Sequence, residues 1–155
     1  MNTLIINPVA AVLKQLFQKA EAADQPLSRT FSSEGQEFSD EQFKKVLDEE
    51  AKDYKAVYRS YAGNYLNVAP EFGKFLYMCA RTSRAKRIVE FGTSFGISAI
   101  HLACALRDGG GGELIGTELE ATKAAAARES LDAAGLADLV DIRGGDALET
   151  LKDGI

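Results

Sequence analysis

Apolar residues recur at helical spacing through the first third of the chain and in short strand-like runs after it. Val9, Val12, Leu13, Leu16, Phe17 and Ala20 follow an Asn7-Pro8 start signal and predict an amphipathic helix. The mostly polar stretch 24–37, which carries Pro26 and Gly35, predicts a loop. Ser39 with Gln42 makes a capping box, and Phe38 with Phe43 is spaced for a hydrophobic staple around it. Phe43, Val46, Leu47, Ala51, Tyr54, Val57, Tyr58 and Tyr61 then hold one apolar face, with Gly63-Asn64 as the expected stop. That stripe predicts a helix face packed on a core; in the alternative reading its tyrosines line a pocket. Pro70 opens a third helix through Phe72, Phe75, Leu76 and Cys79.

The period changes at Arg87. Residues 87–91, 113–118 and 139–143 read as short strands, rich in aliphatic side chains. Helical stretches at 97–106 and 121–134 separate them, broken by the glycine run 109–112 and closed by Gly135, and 147–152 reads as a short terminal helix. Strand alternating with helix predicts an α/β fold, with a parallel sheet and crossover helices.

Composition narrows the function. A formal net charge of −5 argues against a nucleic-acid partner, which needs a basic field over the phosphates. The cluster Arg81, Arg84, Lys86 and Arg87 reads as a solvated helix end. The N-terminus lacks the basic start and long apolar run of a secretory signal, and no stretch approaches the roughly 20 apolar residues of a membrane span. Cys79 and Cys104 read as small buried hydrophobes in a reducing, cytoplasmic setting. His101, the one histidine, reads as a packing or surface residue.

The chemistry gathers at strand ends. After the first strand comes Glu90-Phe91-Gly92-Thr93-Ser94-Phe95-Gly96-Ile97-Ser98. Gly92 lets the backbone leave the strand sharply, and Gly96 marks a helix start whose outward amides favour an anion, to which Ser98 adds a hydroxyl. Glu118 ends the second strand, where a carboxylate can accept from two ribose hydroxyls. Asp146, after the third strand, can accept from an adenine amino group. The glycine spacing argues against a nicotinamide-dependent oxidoreductase, because Thr93-Ser94 stand where Gly-x-Gly-x-x-Gly needs its second glycine.

On these residues, the stretch from Ile88 to Leu151 resembles the cofactor-binding region of class I S-adenosylmethionine-dependent O-methyltransferases of the catechol and caffeoyl-CoA type. Glu90 to Ser98 matches that group's Glu-x-Gly-x-x-x-Gly-x-Ser, and the likeness extends upstream through 67–73. Where the wider superfamily prefers a third glycine, this chain has Ser94. The resemblance implies a Rossmann-like fold and S-adenosylmethionine as cofactor. It implies Val68, Glu90, Gly92, Ser94, Ser98, Glu118, Asp146 and Ala147 as cofactor-binding residues, with no catalytic residue assigned. It implies an N-terminal helical cap or oligomerisation segment at 1–66, a partial cofactor domain at 67–155, and a homodimer. The acceptor it implies is a hydroxyl of a small, perhaps aromatic, molecule. Family metal ligands follow the fourth and fifth strands. The second half of the sheet is therefore expected to be absent from this chain, along with any ligand for a divalent metal, and 87–91 is expected as an apolar edge strand. A fragment, a truncated gene product and completion by another chain all remain open. The alternative function is a non-catalytic cofactor-binding or self-associating module.

Overall fold

The computed structural model describes residues 2–31, 39–152 and 154. A 3-10 turn at Thr3–Ile5 precedes α1 (Val9–Phe31), α2 (Asp40–Ser60), α3 (Pro70–Thr82), β1 (Arg87–Phe91), α4 (Ile97–Asp108), β2 (Glu113–Glu118) and α5 (Ala121–Ala133). A second 3-10 turn, Ala137–Leu139, leads into β3 (Val140–Gly144) and α6 (Ala147–Thr150). The three strands form one parallel sheet in the order β1-β2-β3, with Ile88 beside Leu114 and Leu114 beside Val140. This is the expected α/β arrangement with crossover helices.

One core joins the N-terminal helix to the sheet layer. On α1, Val9, Leu13, Leu16 and Ala20 are buried at i, i+4, i+3, i+4 spacing, in the same cluster as Ile100, Ala103 and Cys104 of α4 and Leu114 of β2. Ala124 and Leu131 of α5 and Ile142 of β3 complete it, the small alanines letting α5 lie close. α3 packs on α4 through Gly73, where an added Cβ would fall 2.6 Å from Cε1 of His101. His101 is a packing residue: buried, its Nδ1 2.8 Å from the Ile97 carbonyl oxygen, and edge-on to Phe17. Burial lowers its pKa, favouring the neutral ring. Burial likewise pushes the Cys104 thiol up to about 12, far from a nucleophile's range.

Several expectations need correction. Residues 24–31 continue α1 rather than forming a loop, with Pro26 inside the helix. The polar stretch is held there by a tertiary partner: the Asp24 carboxylate accepts from the Asn64 side chain and from the backbone amides of Tyr65 and Leu66. Phe38 of the expected staple lies outside the described residues, while the Ser39–Gln42 capping box is present. No residue of α2 is buried, so its apolar stripe is not packed on the core. α2 is also broken at Asp53 (φ −157°, ψ 78°), whose carboxylate accepts from the Ala56 amide and caps the second half. The helix ends before Gly63, with Tyr61 as its cap. Cys79 is exposed rather than buried, on a face of α3 that also exposes Phe72, Phe75 and Met78.

Part of the basic cluster is tied down rather than merely solvated. Lys86 donates to the carbonyls of Gly109 and Gly111 at 2.8 and 3.1 Å, and Arg87 pairs with Glu113 at 3.3 Å. β1 is one of the two sheet edges among the described residues, with Val89 41% and Phe91 83% exposed. No described helix is long and apolar enough to cross a membrane.

The Gly73–His101 contact is tight enough to test. Gly73→Ala should lower stability in urea denaturation by about 1–3 kcal/mol, the cost of overpacking. In a double-mutant cycle with His101→Ala much of that loss should disappear, and full additivity would show that the two residues do not share the space.

Candidate functional site

A crevice opens along the carboxyl ends of the three strands, where ligands sit in open parallel sheets. Its larger part encloses about 270 Å³, and a smaller recess of about 60 Å³ adjoins it through the shared residues Leu66, Gly92 and Ser94. Glu118, Asp146 and Ala147 line the larger part, and Val68 and Ser98 line the smaller. Seven of the eight residues singled out in the sequence thus face this crevice; Glu90, the eighth, borders neither part and sits beneath the loop.

The loop after β1 is bonded to the tip of β2. The amides of Gly92 and Thr93 both donate to the Thr117 carbonyl, at 3.0 and 2.8 Å, and the Ser94 amide donates to Oε2 of Glu118 at 2.7 Å. Glu118 Oε1 accepts from the Glu120 amide at 2.9 Å, and the Glu118 carbonyl accepts from Gly145 at 2.8 Å. Each carboxylate oxygen keeps a second lone pair for a ligand hydroxyl. Ser94 sits at φ +50°, a conformation natural to glycine, which gives a physical reason for the superfamily's preference there. Its hydroxyl donates to the Tyr65 carbonyl at 2.6 Å, a bond glycine could not make. Gly96 (φ +92°) starts α4, and no side chain caps that start, so the first-turn amides point out toward the recess.

Glu90 is a carboxyl held under the loop. Although the residue lies on the edge strand, its Oε2 is sealed from solvent and, like Oγ1 of Thr93, makes no hydrogen bond of ordinary geometry among the described residues; the Ser98 and Thr93 hydroxyls are its polar neighbours. Burial holds the Glu90 carboxyl above its ordinary range; the Ser98 and Thr93 hydroxyls offset part of that rise, and the Glu118 charge adds to it. Asp146 is the opposite case. It accepts from Tyr54 Oη at 2.5 Å, from Lys55 Nζ at 3.0 Å and from the Leu148 amide at 3.0 Å. These bonds, led by that of Tyr54, pull its pKa down to about 2.

Other residues of the site escaped sequence reasoning. Tyr54 and Tyr58 of α2 line the crevice, so the alternative reading of the tyrosine stripe is the one the geometry supports. Lys123 lines it too, buried, its Nζ 5.8 Å from the centre of the Phe95 ring. Burial lowers the Lys123 pKa, opposed by the charges of Glu118, Asp24 and Glu120. Gly116 admits the loop: a Cβ there would lie 2.4 Å from Thr93 Oγ1. A glycine inside a strand is the signal that could have found it. Leu66 (φ +46°) carried no such signal. Among the described residues no three His, Cys, Asp or Glu side chains are grouped to hold a metal ion, and no step is routed through one.

The Glu90 carboxyl has a thermodynamic signature. Its folded pKa lies above the ordinary value of 4.5, so its contribution to stability is complete below that value and is lost as pH rises through the folded pKa. Glu90→Gln removes this loss. The variant's unfolding free energy relative to wild type should therefore increase as the pH rises above 4.5, and a constant difference would mean that Glu90 is not buried as a carboxyl.

The O-methyltransferase family model matches residues 36–155. A catechol O-methyltransferase of Niastella koreensis is 42% identical over 86 residues, 56% of this chain and 38% of that protein. Among solved structures, the O-methyltransferase TomG from Streptomyces achromogenes, involved in tomaymycin synthesis and bound to S-adenosylmethionine, is 42% identical with a TM-score of 0.52, covering 56% of this chain and 38% of TomG. An O-methyltransferase from Bacillus cereus in complex with S-adenosylhomocysteine is 30% identical with a TM-score of 0.54, covering 87% of this chain and 55% of its own. The chain spans less than two-fifths of the length of the Niastella protein and of TomG. Matched over most of its length by the family model, and carrying the glycine turn and acidic strand tips in one crevice, the chain belongs to the O-methyltransferase family.

Proposed function

We propose that the crevice binds S-adenosylmethionine and that the protein serves methyl transfer to a hydroxyl of a small, aromatic acceptor. The observation that carries the cofactor assignment is a single crevice that holds the uncapped start of α4 and the strand-tip carboxylates of Glu118 and Asp146, with the Glu90 carboxylate beside the Ser98 hydroxyl of that helix start. The carboxylate calls for an ammonium, and the helix amides call for an anion. An α-amino acid carries both groups on one carbon. Glu118 and Asp146, on the neighbouring strand tips, suit a ribose and a purine amino group. A methionine-bearing nucleoside matches this order of groups, whereas a dinucleotide leaves Glu90 unanswered.

Bound there, S-adenosylmethionine supplies a methyl group on a sulfonium, open to in-line displacement. The residues of this chain hold and orient it: Glu90 and the α4 amides at the amino-acid end, Glu118 at the sugar, and Asp146 and Ala147 at the base, with Val68 packed near the amino-acid end. Such positioning is the main service a protein renders to a displacement between two bound partners. We assign no residue of this chain as the base that takes the acceptor's proton. The aromatic acceptor is proposed from the catechol-methylating relatives, and a homodimer from the family resemblance.

A second reading has its own observation. The exposure of Val89 and Phe91 on β1 suits a cofactor-binding module that self-associates through that edge. Sedimentation of Val89→Lys beside wild type tests it, since a charge on that edge should dissociate a species held together through β1.

Calorimetric titration with S-adenosylhomocysteine and, separately, with NAD tests the proposal. The first should bind and the second should not; binding of NAD alone reverses the assignment, and binding of neither by folded protein removes it. Glu118→Ala should weaken S-adenosylhomocysteine by about 1.5–3 kcal/mol, the scale of a charge-assisted hydrogen bond with its supporting contacts.

A further inference from the structure

We infer that Asp24, on α1 and outside the crevice, is a positioning residue for the cofactor loop, acting through Tyr65 and Leu66. This deepens the proposed function and rests on it. Oδ1 of Asp24 accepts from Asn64 Nδ2 at 3.1 Å and from the Tyr65 amide at 2.9 Å, and Oδ2 accepts from the Leu66 amide at 2.8 Å. Two consecutive backbone amides converge on one carboxylate, and the second belongs to a leucine in the left-handed region, at φ +46°. A leucine avoids that conformation unless its surroundings impose it. The Asp24 carboxylate, bonded to the amides of Tyr65 and Leu66, is the group that does so.

The segment it holds is the wall of the site. Leu66 lines both parts of the crevice. The Tyr65 carbonyl accepts from the Ser94 hydroxyl, and the Tyr65 ring stacks on Phe95 with centroids 3.9 Å apart and planes 15° off parallel. Ser94 is also at positive φ, and its amide is bonded to Glu118. A continuous set of hydrogen bonds therefore runs from Asp24 through Tyr65 and Ser94 to Glu118. Its far end is anchored, because Leu13, Leu16 and Ala20 bury α1 in the core. The charge of Asp24 also acts on Lys123, the buried ammonium in the crevice, in concert with Glu118. Loop and wall are each strained alone, and the carboxylate makes their positions mutual.

Asp24→Asn is the informative change. An amide has one acceptor oxygen for three donors and turns an N–H group toward another N–H. In the full chain, S-adenosylhomocysteine affinity should fall about tenfold or more, and hydrogen exchange at the Ser94 amide should speed up. Leu16→Ala is the control: it loosens the same helix in the core and lowers Tm, yet should leave the affinity within about twofold and Ser94 exchange unchanged. Wild-type affinity and exchange in Asp24→Asn overturn the inference, as does an equal loss of affinity in Leu16→Ala, which would make the role merely structural. Should Asp24→Asn not fold, Asp24→Glu, which keeps the charge and displaces its oxygens by one methylene, is read in the same way. If wild type itself does not bind S-adenosylhomocysteine, the cofactor reading falls, while exchange at Ser94 still decides whether Asp24 positions the loop.

Discussion

At the tip of β2 the main chain and side chain of Glu118 are bonded to three different segments. The carboxylate takes the Ser94 amide from the loop after β1 and the Glu120 amide at the start of α5, and the carbonyl takes the Gly145 amide from the loop after β3. A parallel sheet brings its strand ends together but does not set the loops that leave them. Here one acidic residue sets two of those loops at once, and the space between them is the crevice. The buried neighbours on β2, Leu114 to Thr117, keep that residue in place by fixing the strand on both sides.

The crevice is electrically divided. Under the loop at one end, the Glu90 carboxyl lies by the positive end of a helix dipole; at the other, Asp146 is already satisfied by Tyr54, Lys55 and its own helix start. The first end sets a carboxyl and unpaired helix amides near each other. The second has its carboxylate already paired with protein donors.

The sheet was legible because its signals are local. β1 and β2 have the bounds their aliphatic runs indicate, and β3 begins one residue late because Leu139 turns into the core from a 3-10 turn. The glycine turn and the acidic strand tips were legible for the same reason: each depends on its own strand end. What stayed hidden depends on distant partners. Residues 24–31 look like a loop until the amides of Tyr65 and Leu66 are seen at Asp24. The α2 stripe records that one face is apolar, not what covers it; the structure sets Tyr54 and Tyr58 against a crevice instead of a core. Nothing in the composition around Leu66 announces its backbone conformation.

Asp146, with a pKa of about 2, stays charged at any pH a cell experiences. The grip of α2 on the tip of β3, through Lys55 on Asp146 at 3.0 Å, is thus indifferent to acidity. It is made between partly solvated charges, and dissolved ions weaken such attractions over about 8–10 Å at ordinary ionic strength. Electrolyte concentration, not proton concentration, is the variable that loosens this helix from the mouth of the crevice.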